Sequence, residues 1–356
     1  MPPIPTALRV TPMLIALGAS GGFAAKWIGL PLPFMLGSML TVALLATFKG
    51  NWIPEGFKFP ENFRAGFIAL IGLMIGAQVT PELFKQIPTM AVSLAMITLF
   101  VGLAQAVNYV IFRKIGRYDP ATAFFCGSPG GLIEAITLGE EAGADIRALI
   151  LQQFLRIIMV VSLLPVGLSL YHGTPVGSSG GATMARGATD LAHLVPLIAI
   201  AIAGVFLGRR LHLPAGQLTG PLVLGALLSL SGIYAVDLPQ WLVNLAQIIV
   251  GTSLGTRFAG IGHRMLAKGL VLALLSSGAM MAMGAAMAAA IVPLTGENFE
   301  VLLISFAPGG VTEMALVALS LSANPAYVTL HHLYRITLTV VMLGTAAKRM
   351  FPKSGP

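Results

Sequence analysis

The stretch Ser128-Pro-Gly-Gly-Leu-Ile-Glu134 decides how this chain folds, because the pattern returns later as Ala307-Pro-Gly-Gly-Val-Thr-Glu313. The two copies lie 179 residues apart, and the spacing continues without a gap through the next apolar segment. In that segment Arg156 and Arg335 occupy equivalent positions. Matched Pro, Gly, Gly and Glu residues followed by a distant arginine at fixed spacing indicate a tandem duplication.

The composition places the duplicated chain in a membrane. Of its 356 residues, 56% are hydrophobic and 10% are charged, whereas soluble domains carry about 25% charged residues. So few charges cannot cover a water-soluble globule, and the high hydrophobicity also excludes a disordered chain. The net charge of +8 comes from scattered basic residues, so it predicts cytoplasmic loops rather than a nucleic-acid partner.

Apolar segments follow one another along both halves of the chain, each near the length of about 20 residues that a spanning helix needs. A Gly/Ser/Thr-rich stretch at 176–188 predicts a linker between a first membrane repeat, 1–175, and a second, 189–356. The apolar segments lie near 11–29, 32–48, 63–80, 87–112, 121–139, 148–171, 189–208, 218–235, 241–257, 266–293, 300–321 and 327–347. The sequence therefore predicts an all-α polytopic membrane protein.

The basic residues discriminate between two topologies. If every segment crosses the bilayer, the lysines and arginines divide rather evenly between its two sides. If each Pro-Gly-Gly segment instead enters and returns on one side, the two halves are inverted. Basic residues outside the predicted helices then gather on one side, except for Lys26, Lys85 and Arg186. The positive-inside rule favours this inverted repeat, with about ten transmembrane helices, two re-entrant or broken-helix segments and both termini in the cytoplasm.

Each Pro-Gly-Gly triplet should break a helix, because proline removes an amide donor and glycine removes steric limits on the backbone. Broken backbone at membrane depth is tolerated where protein or a water-filled cavity surrounds it, and the amides at the next helix N-terminus suit an anion. A packing kink is the plainer alternative. The predicted substrate-binding residues at the two breaks are Ser128, Pro129, Gly130, Gly131, Pro308, Gly309 and Gly310.

Two carboxylates, Glu134 and Glu313, fall well inside apolar segments. A charge there costs about 2.5–3.5 kcal/mol on insertion scales and marks a functional site. Each glutamate is a candidate proton carrier, a cation ligand, a partner of an arginine, or a cap of the helix that follows the break.

Arg156 and Arg335, 22 residues after these glutamates, are predicted to bind a substrate carboxylate or phosphate or to neutralise the glutamates. Alternatively they extend to the membrane interface. His331 and His332 replace the Gln152-Gln153 pair of the first copy and are candidates for proton coupling or for polar packing. Adjacent helical residues point about 100° apart, so at most one of these histidines faces the site.

The sequence carries no phosphate-binding loop, nucleophile elbow, dinucleotide fingerprint or set of metal ligands at usual spacing. We therefore predict no catalytic residues, no metal and no cofactor, and a chain that is not an enzyme.

The duplicated Pro-Gly-Gly-x-x-Glu followed by (Gln/His)-(Gln/His)-x-x-Arg-Ile resembles the bacterial AbrB-type inner-membrane family over essentially the whole chain. That resemblance implies a multi-pass protein of the bacterial inner membrane. The family carries two labels, ammonia monooxygenase and regulator of gene expression. An oxidase would need copper or iron ligands, and a direct regulator would need a soluble domain to read DNA.

These observations favour a secondary transporter for a small solute, with an anion among the candidates and protons as a candidate coupling ion. The alternative is a membrane-embedded sensor that affects gene expression through a partner, and the oxidase is a third. The expected partners are membrane lipid, the solute and a second copy of the chain in a homo-oligomer, with no nucleic acid.

Overall fold

The computed structural model describes residues 6–48, 53–54, 57–173, 191–321 and 323–351, and every regular element in them is helical. The predicted linker at 176–188 lies outside these residues. The helices of the first half are α1 (Thr6–Trp27), α2 (Pro33–Phe48), α3 (Glu61–Gly76), α4 (Pro81–Lys85), α5 (Ile87–Val110), α6 (Pro120–Cys126), α7 (Leu132–Glu141) and α8 (Ile146–His172). Those of the second half are α9 (Leu191–Arg210), α10 (Gly216–Ser231), α11 (Gln240–Gly255), α12 (His263–Thr295), α13 (Phe299–Phe306), α14 (Val311–Ser320) and α15 (Pro325–Met350).

Four helices within the described ranges are long and apolar enough to cross a bilayer. They are Ile87–Ile115, where α5 continues through one π-helical turn, Ile146–His172, Ala192–Arg210 and Arg264–Thr295. An all-helical chain with such helices is what a membrane protein requires, because a helix satisfies its own backbone hydrogen bonds in lipid.

The predicted apolar segments correspond closely to these helices, with one informative exception in each half. Segment 121–139 contains two short helices, α6 and α7, and segment 300–321 contains α13 and α14. Both interruptions fall at the Pro-Gly-Gly triplets, so the predicted helix breaks are observed.

The helices divide into two compact units that do not follow the two sequence repeats. Unit 1 consists of 1–84, 162–261 and 315–326, and unit 2 consists of 85–161, 262–314 and 327–356. Each unit therefore combines segments from both halves of the chain, and unit 2 contains all the predicted site residues.

Unit 1 is built by close packing of helices at small residues. Helix α2 packs on α1 and α11, and α10 packs on α9 and α3. A Cβ atom on Gly255 would lie 2.7 Å from the carbonyl oxygen of Met39, and one on Gly76 would lie 2.8 Å from the amide nitrogen of Ala226. These glycines therefore allow neighbouring backbones to approach closely.

In unit 2 the long helices α5 and α12 lie against each other and run antiparallel. A Cβ on Gly116, just after α5, would lie 3.1 Å from Leu272 near the start of α12. Towards the other end, Gly284 of α12 faces Phe100 of α5. Segments 179 residues apart in the sequence, 87–112 and 266–291, thus point in opposite directions.

Candidate functional site

The first broken segment comprises α6, the break and α7. Helix α6 begins after Asp119, whose carboxylate accepts a hydrogen bond from the Thr122 amide at 2.9 Å, and it has proline at its first position. It ends at Cys126, and α7 starts only at Leu132. Gly131 has φ +61° and ψ 54°, a left-handed conformation that glycine adopts without strain. The triplet therefore provides the conformation that separates the two helices.

This segment doubles back on itself. The Asp145 amide, which follows α7, donates a hydrogen bond of 2.7 Å to the Thr122 hydroxyl in the first turn of α6. In addition, a Cβ on Gly139 of α7 would lie 3.4 Å from Phe125 of α6. The chain thus enters and leaves the first broken segment at the same end.

The second broken segment repeats the plan. Helix α13 ends at Phe306, α14 starts at Val311, and the break between them contains Pro308, Gly309 and Gly310. A Cβ atom on Gly310 would overlap the carboxylate of Glu313, the flexible end of that side chain. This glycine lets the Glu313 side chain fold back over the break.

A buried arginine from the following long helix holds each break. Arg156 of α8 donates from Nη1 to the Ser128 carbonyl, and Arg335 of α15 donates from Nη1 to the equivalent Ala307 carbonyl. Arg335 also reaches the carbonyl oxygens of Phe306 at 3.3 Å and Gly309 at 3.0 Å. These carbonyls lack partners within a helix that ends there, and a cation is favourable at such an end.

The arginines are 6% and 0% exposed, so neither extends to an interface. Their resolved hydrogen bonds go to backbone carbonyls, a role that the charge-neutralising interpretation of the sequence did not include.

The residue three positions before each arginine makes a matched contact. Gln153 Nε2 donates to the Phe125 carbonyl at 2.9 Å and to the Ser128 hydroxyl at 2.8 Å. His332 Nε2 lies 3.0 Å from the carbonyl of Ile304, which is the equivalent of Phe125. The substitution of glutamine by histidine thus preserves one contact to the end of the first short helix.

His331 is buried too, but it lies away from the break. Its Nε2 is 2.6 Å from the Ser93 hydroxyl, and its Nδ1 is 2.8 Å from the Tyr327 carbonyl. Ser93 also contacts the Tyr327 hydroxyl at 3.2 Å. His332 therefore contacts the broken segment, whereas His331 belongs to a polar cluster with Ser93 and Tyr327. This agrees with the expectation that adjacent helical residues, which point about 100° apart, cannot both face the site.

Both glutamates lie in the first turn of the second short helix. A negative charge is favourable there because the helix N-terminus carries partial positive charge. Glu134 is half-buried, whereas Glu313 is 9% exposed. Their position is that of a cap of the helix that follows each break, which is one of the alternatives from the sequence. The carboxylates thus lie at the helix N-termini where the sequence suggested that an anionic ligand could bind.

The two breaks lie close to each other within unit 2. A Cβ on Gly130 would lie 3.6 Å from the Cα of Ile336, the residue after Arg335. Arg156 and Arg335 are near enough to interact electrostatically. The structure thus brings the two triplets and their arginines into one region, as an internal site would require.

Several buried polar atoms around the breaks lack a hydrogen-bond partner. They include Nε of Arg156, Nε of Arg335, Oε1 of Gln153 and Nδ1 of His332. Leaving such atoms unpaired is costly, so a cluster of them marks a place where water or a ligand can be bound.

Two residues that the sequence did not single out also support the first break. Gln105 donates to the Phe124 carbonyl at 2.8 Å, and Asn108 donates to the Gly127 carbonyl at 3.0 Å. Their signal was available, because they are buried amides three residues apart on the otherwise apolar helix α5.

Basic residues gather at the end of unit 2 where α5 ends and α12 begins. Lys268 lies over the ring of Tyr118, 4.6 Å from its centroid, and Arg113 donates to the Tyr118 carbonyl at 2.8 Å. Burial raises the pKa of the Tyr118 phenol, so the ring remains neutral beneath the lysine. Lys114, four residues before Tyr118, and Lys268 thus belong to the same end.

In the part of the chain that the structure describes, no group of three His, Cys, Asp or Glu side chains is placed to hold a metal ion.

The chain is similar to known proteins over nearly its full length. The chain is 26% identical over 352 residues to the "Uncharacterized protein YhjN" of Bacillus subtilis (strain 168), covering 92% of this chain and 90% of that protein. It is 23% identical over 343 residues to the "Putative regulator AbrB" of Escherichia coli (strain K12), covering 96% of each. The family model described as "Transition state regulatory protein AbrB" matches residues 34–351, so the chain belongs to the AbrB family.

Proposed function

We propose that this protein is a secondary transporter for a small solute, with its site at the two broken segments. The observation that carries the proposal is the pair of equivalent contacts from buried arginines to the breaks, Arg156 to Ser128 and Arg335 to Ala307. Secondary transporters commonly place their sites where discontinuous helices of two repeats meet. We further propose that the protein is not an enzyme and binds no cofactor.

The topology that we propose is an inverted repeat of ten crossings and two re-entrant segments in the bacterial inner membrane, with both termini cytoplasmic. The antiparallel arrangement of α5 and α12 supports it, because equivalent helices of inverted repeats point in opposite directions. The contact of Lys268 with Tyr118 also supports it, since this topology requires Lys114 and Lys268 to share a side. The short helices have 7 to 10 residues, about 10–15 Å, and therefore reach at most half-way through a core of about 30 Å.

Labelling of single cysteines tests this topology. In a Cys126→Ala background, Lys114→Cys and Lys268→Cys should both react with an impermeant thiol reagent from the cytoplasmic side. Lys85→Cys serves as the opposite control and should react from the outside. Labelling of positions 114 and 268 from different sides would contradict the inverted repeat.

For the solute we propose a small anion, with proton coupling through Glu134 or Glu313. Two neighbouring guanidinium groups, each with an unpartnered Nε donor, favour negative charge. Because Arg335 is fully buried, a solute reaches it only after the segments move, and such a movement is what alternating access requires. Because the same side chains also stabilise the breaks, the experiment must distinguish a loss of solute binding from a loss of folding stability.

The test is uptake by purified protein in vesicles, screened over organic and inorganic anions with and without a pH gradient. Arg156→Lys and Glu134→Gln should abolish uptake while the protein stays monodisperse. Matched controls come from the same helices, because Arg147 and Glu140 are exposed. Arg147→Lys and Glu140→Gln should transport normally. Equal behaviour of wild type and all four variants towards every solute would overturn the proposal.

The Escherichia coli relative carries the name "Putative regulator AbrB", and the second candidate function is regulation of gene expression through a partner. That function predicts that exposed basic residues such as Arg113 and Lys114 are essential, whereas Arg156 and Glu134 tolerate conservative change. The variants above, assayed for the cellular response rather than for uptake, separate the two functions.

A further inference from the structure

We infer that unit 1 carries a binding site for an anionic phospholipid, in a groove between α3, α9 and α11. The groove has a volume of about 590 Å³ and is lined by apolar residues, apart from Asn62 and Arg209 at one end. Its size falls in the range of about 300–1,000 Å³ that is typical of ligand sites. Small residues form part of its wall, among them Gly66, where a Cβ would meet no atom within 4 Å.

The polar end of the groove is basic. Arg209 donates to the Asn62 side-chain oxygen at 3.2 Å, which joins the C-terminal end of α9 to the N-terminal end of α3. Beside them Arg257 lies 3.6 Å from Glu61 and within electrostatic range of Arg64. Arg209 lines the groove itself, and Glu61, the neighbour of Asn62 in the sequence, is accompanied by Arg64 and Arg257, so the sum of charges near this end is positive.

The dimensions of the groove fit one leaflet. Along α3 it runs from Asn62 to Leu70, and along α9 from Arg209 to Ile198. At 1.5 Å per residue these distances are about 12 Å and about 16 Å. Half of a hydrocarbon core of about 30 Å is about 15 Å. An acyl chain can therefore lie on the apolar wall while its headgroup meets the arginines.

Charge favours a lipid over a second copy of the chain in this groove. Consider two copies that meet through this groove and are related by a two-fold axis along the membrane normal. Their arginine-rich ends would lie at the same depth in the membrane and would repel each other. A phosphodiester instead neutralises them, and basic residues near a membrane surface attract anionic lipid by about 1 kcal/mol each.

Native mass spectrometry of the full-length protein, titrated with phosphatidylglycerol or phosphatidylcholine, tests the site. Gly66→Phe should fill the groove and abolish binding of the most tightly bound phosphatidylglycerol molecule. Arg209→Gln should weaken phosphatidylglycerol about fivefold and leave phosphatidylcholine unchanged. The controls are Gly102→Phe, at an exposed helical glycine that likewise has open space around it, and Arg210→Gln, the next arginine on α9.

Equal binding of the two lipids by the wild type, or equal losses in the groove and control variants, would overturn the lipid site. So would a loss of dimer in Gly66→Phe but not in Gly102→Phe, because the groove would then be a contact between two copies. None of these readouts depends on transport activity, so the lipid site and the transport proposal can fail separately.

Discussion

The two broken segments share one plan but differ in which side chains hold them. In the first, the resolved contact of Arg156 with the break is a single carbonyl, Gly131 is left-handed and Glu134 is half-buried. In the second, Arg335 binds three carbonyls and Glu313 is almost fully buried. Duplication supplied two equivalent elements: amide side chains share the support of the first with Arg156, whereas Arg335 makes most of the resolved contacts to the second.

This difference concerns how much each segment depends on its arginine. Without Arg156 the first segment keeps its contacts from Gln105, Asn108 and Gln153. Without Arg335 the second segment keeps, among the resolved side-chain contacts, the one from His332. We therefore expect the second segment to depend more strongly on its arginine, and matched substitutions in the two segments test this.

The largest difference is expected at the arginines. Arg335→Met removes a buried donor group from three carbonyls and should lower the free energy of unfolding by about 3 kcal/mol or more, because each buried carbonyl left unpaired costs about 1–3 kcal/mol. Arg156→Met removes one resolved contact and should cost about 1.5–3 kcal/mol. Thermal unfolding of both variants in the same detergent measures the difference.

Arg335→Lys controls for charge alone, because lysine keeps the charge but lacks the planar fork that reaches several carbonyls at once. We expect it to recover only part of the loss. Equal destabilisation by Arg335→Met and Arg156→Met would show that the two segments depend equally on their arginines.

Alanine substitutions at Gly131 and Gly310 should affect stability through different causes. Gly131→Ala places a side chain in a left-handed conformation and should cost about 1–2 kcal/mol. Gly310→Ala meets the flexible end of the Glu313 side chain, so the carboxylate can shift and stability should change by less than about 0.5 kcal/mol.

A double-mutant cycle measures how strongly the Glu313 carboxylate obstructs a side chain at position 310. In a Glu313→Ala background, Gly310→Ala should no longer meet an obstacle, whereas Glu134→Ala should leave the cost of Gly131→Ala nearly unchanged. The expected coupling between positions 310 and 313 is below about 0.5 kcal/mol, and a larger value would show that the carboxylate cannot shift away from Gly310.

Much of this arrangement follows from local sequence signals. Hydropathy locates the apolar segments, and the Pro-Gly-Gly triplets locate the two breaks because proline and glycine act on the backbone wherever they occur. The 22-residue spacing also identifies Arg156 and Arg335 as residues that belong with the breaks. Such local and repeated signals need no knowledge of which helices are neighbours.

What the arginines contact could not be predicted in the same way. Their partners are carbonyl oxygens freed by the breaks, and a carbonyl leaves no trace in the residue type that bears it. The support of the first break by Gln105 and Asn108 depends on α5 lying beside α6. The mixing of both repeats within each compact unit likewise results from long-range packing, which hydropathy along the chain does not encode.

The smallest difference is expected where the two copies exchange residue types. His332 Nε2 and Gln153 Nε2 contact equivalent carbonyls, so His332→Gln should keep the contact to Ile304 and change the unfolding free energy by less than about 0.5 kcal/mol. His332→Leu serves as the control and should cost about 1–3 kcal/mol, because it leaves that buried carbonyl unpartnered. If His332→Gln keeps stability but removes the pH dependence of uptake, the histidine carries protons. If both persist, the histidine only packs, and proton coupling must reside with the glutamates.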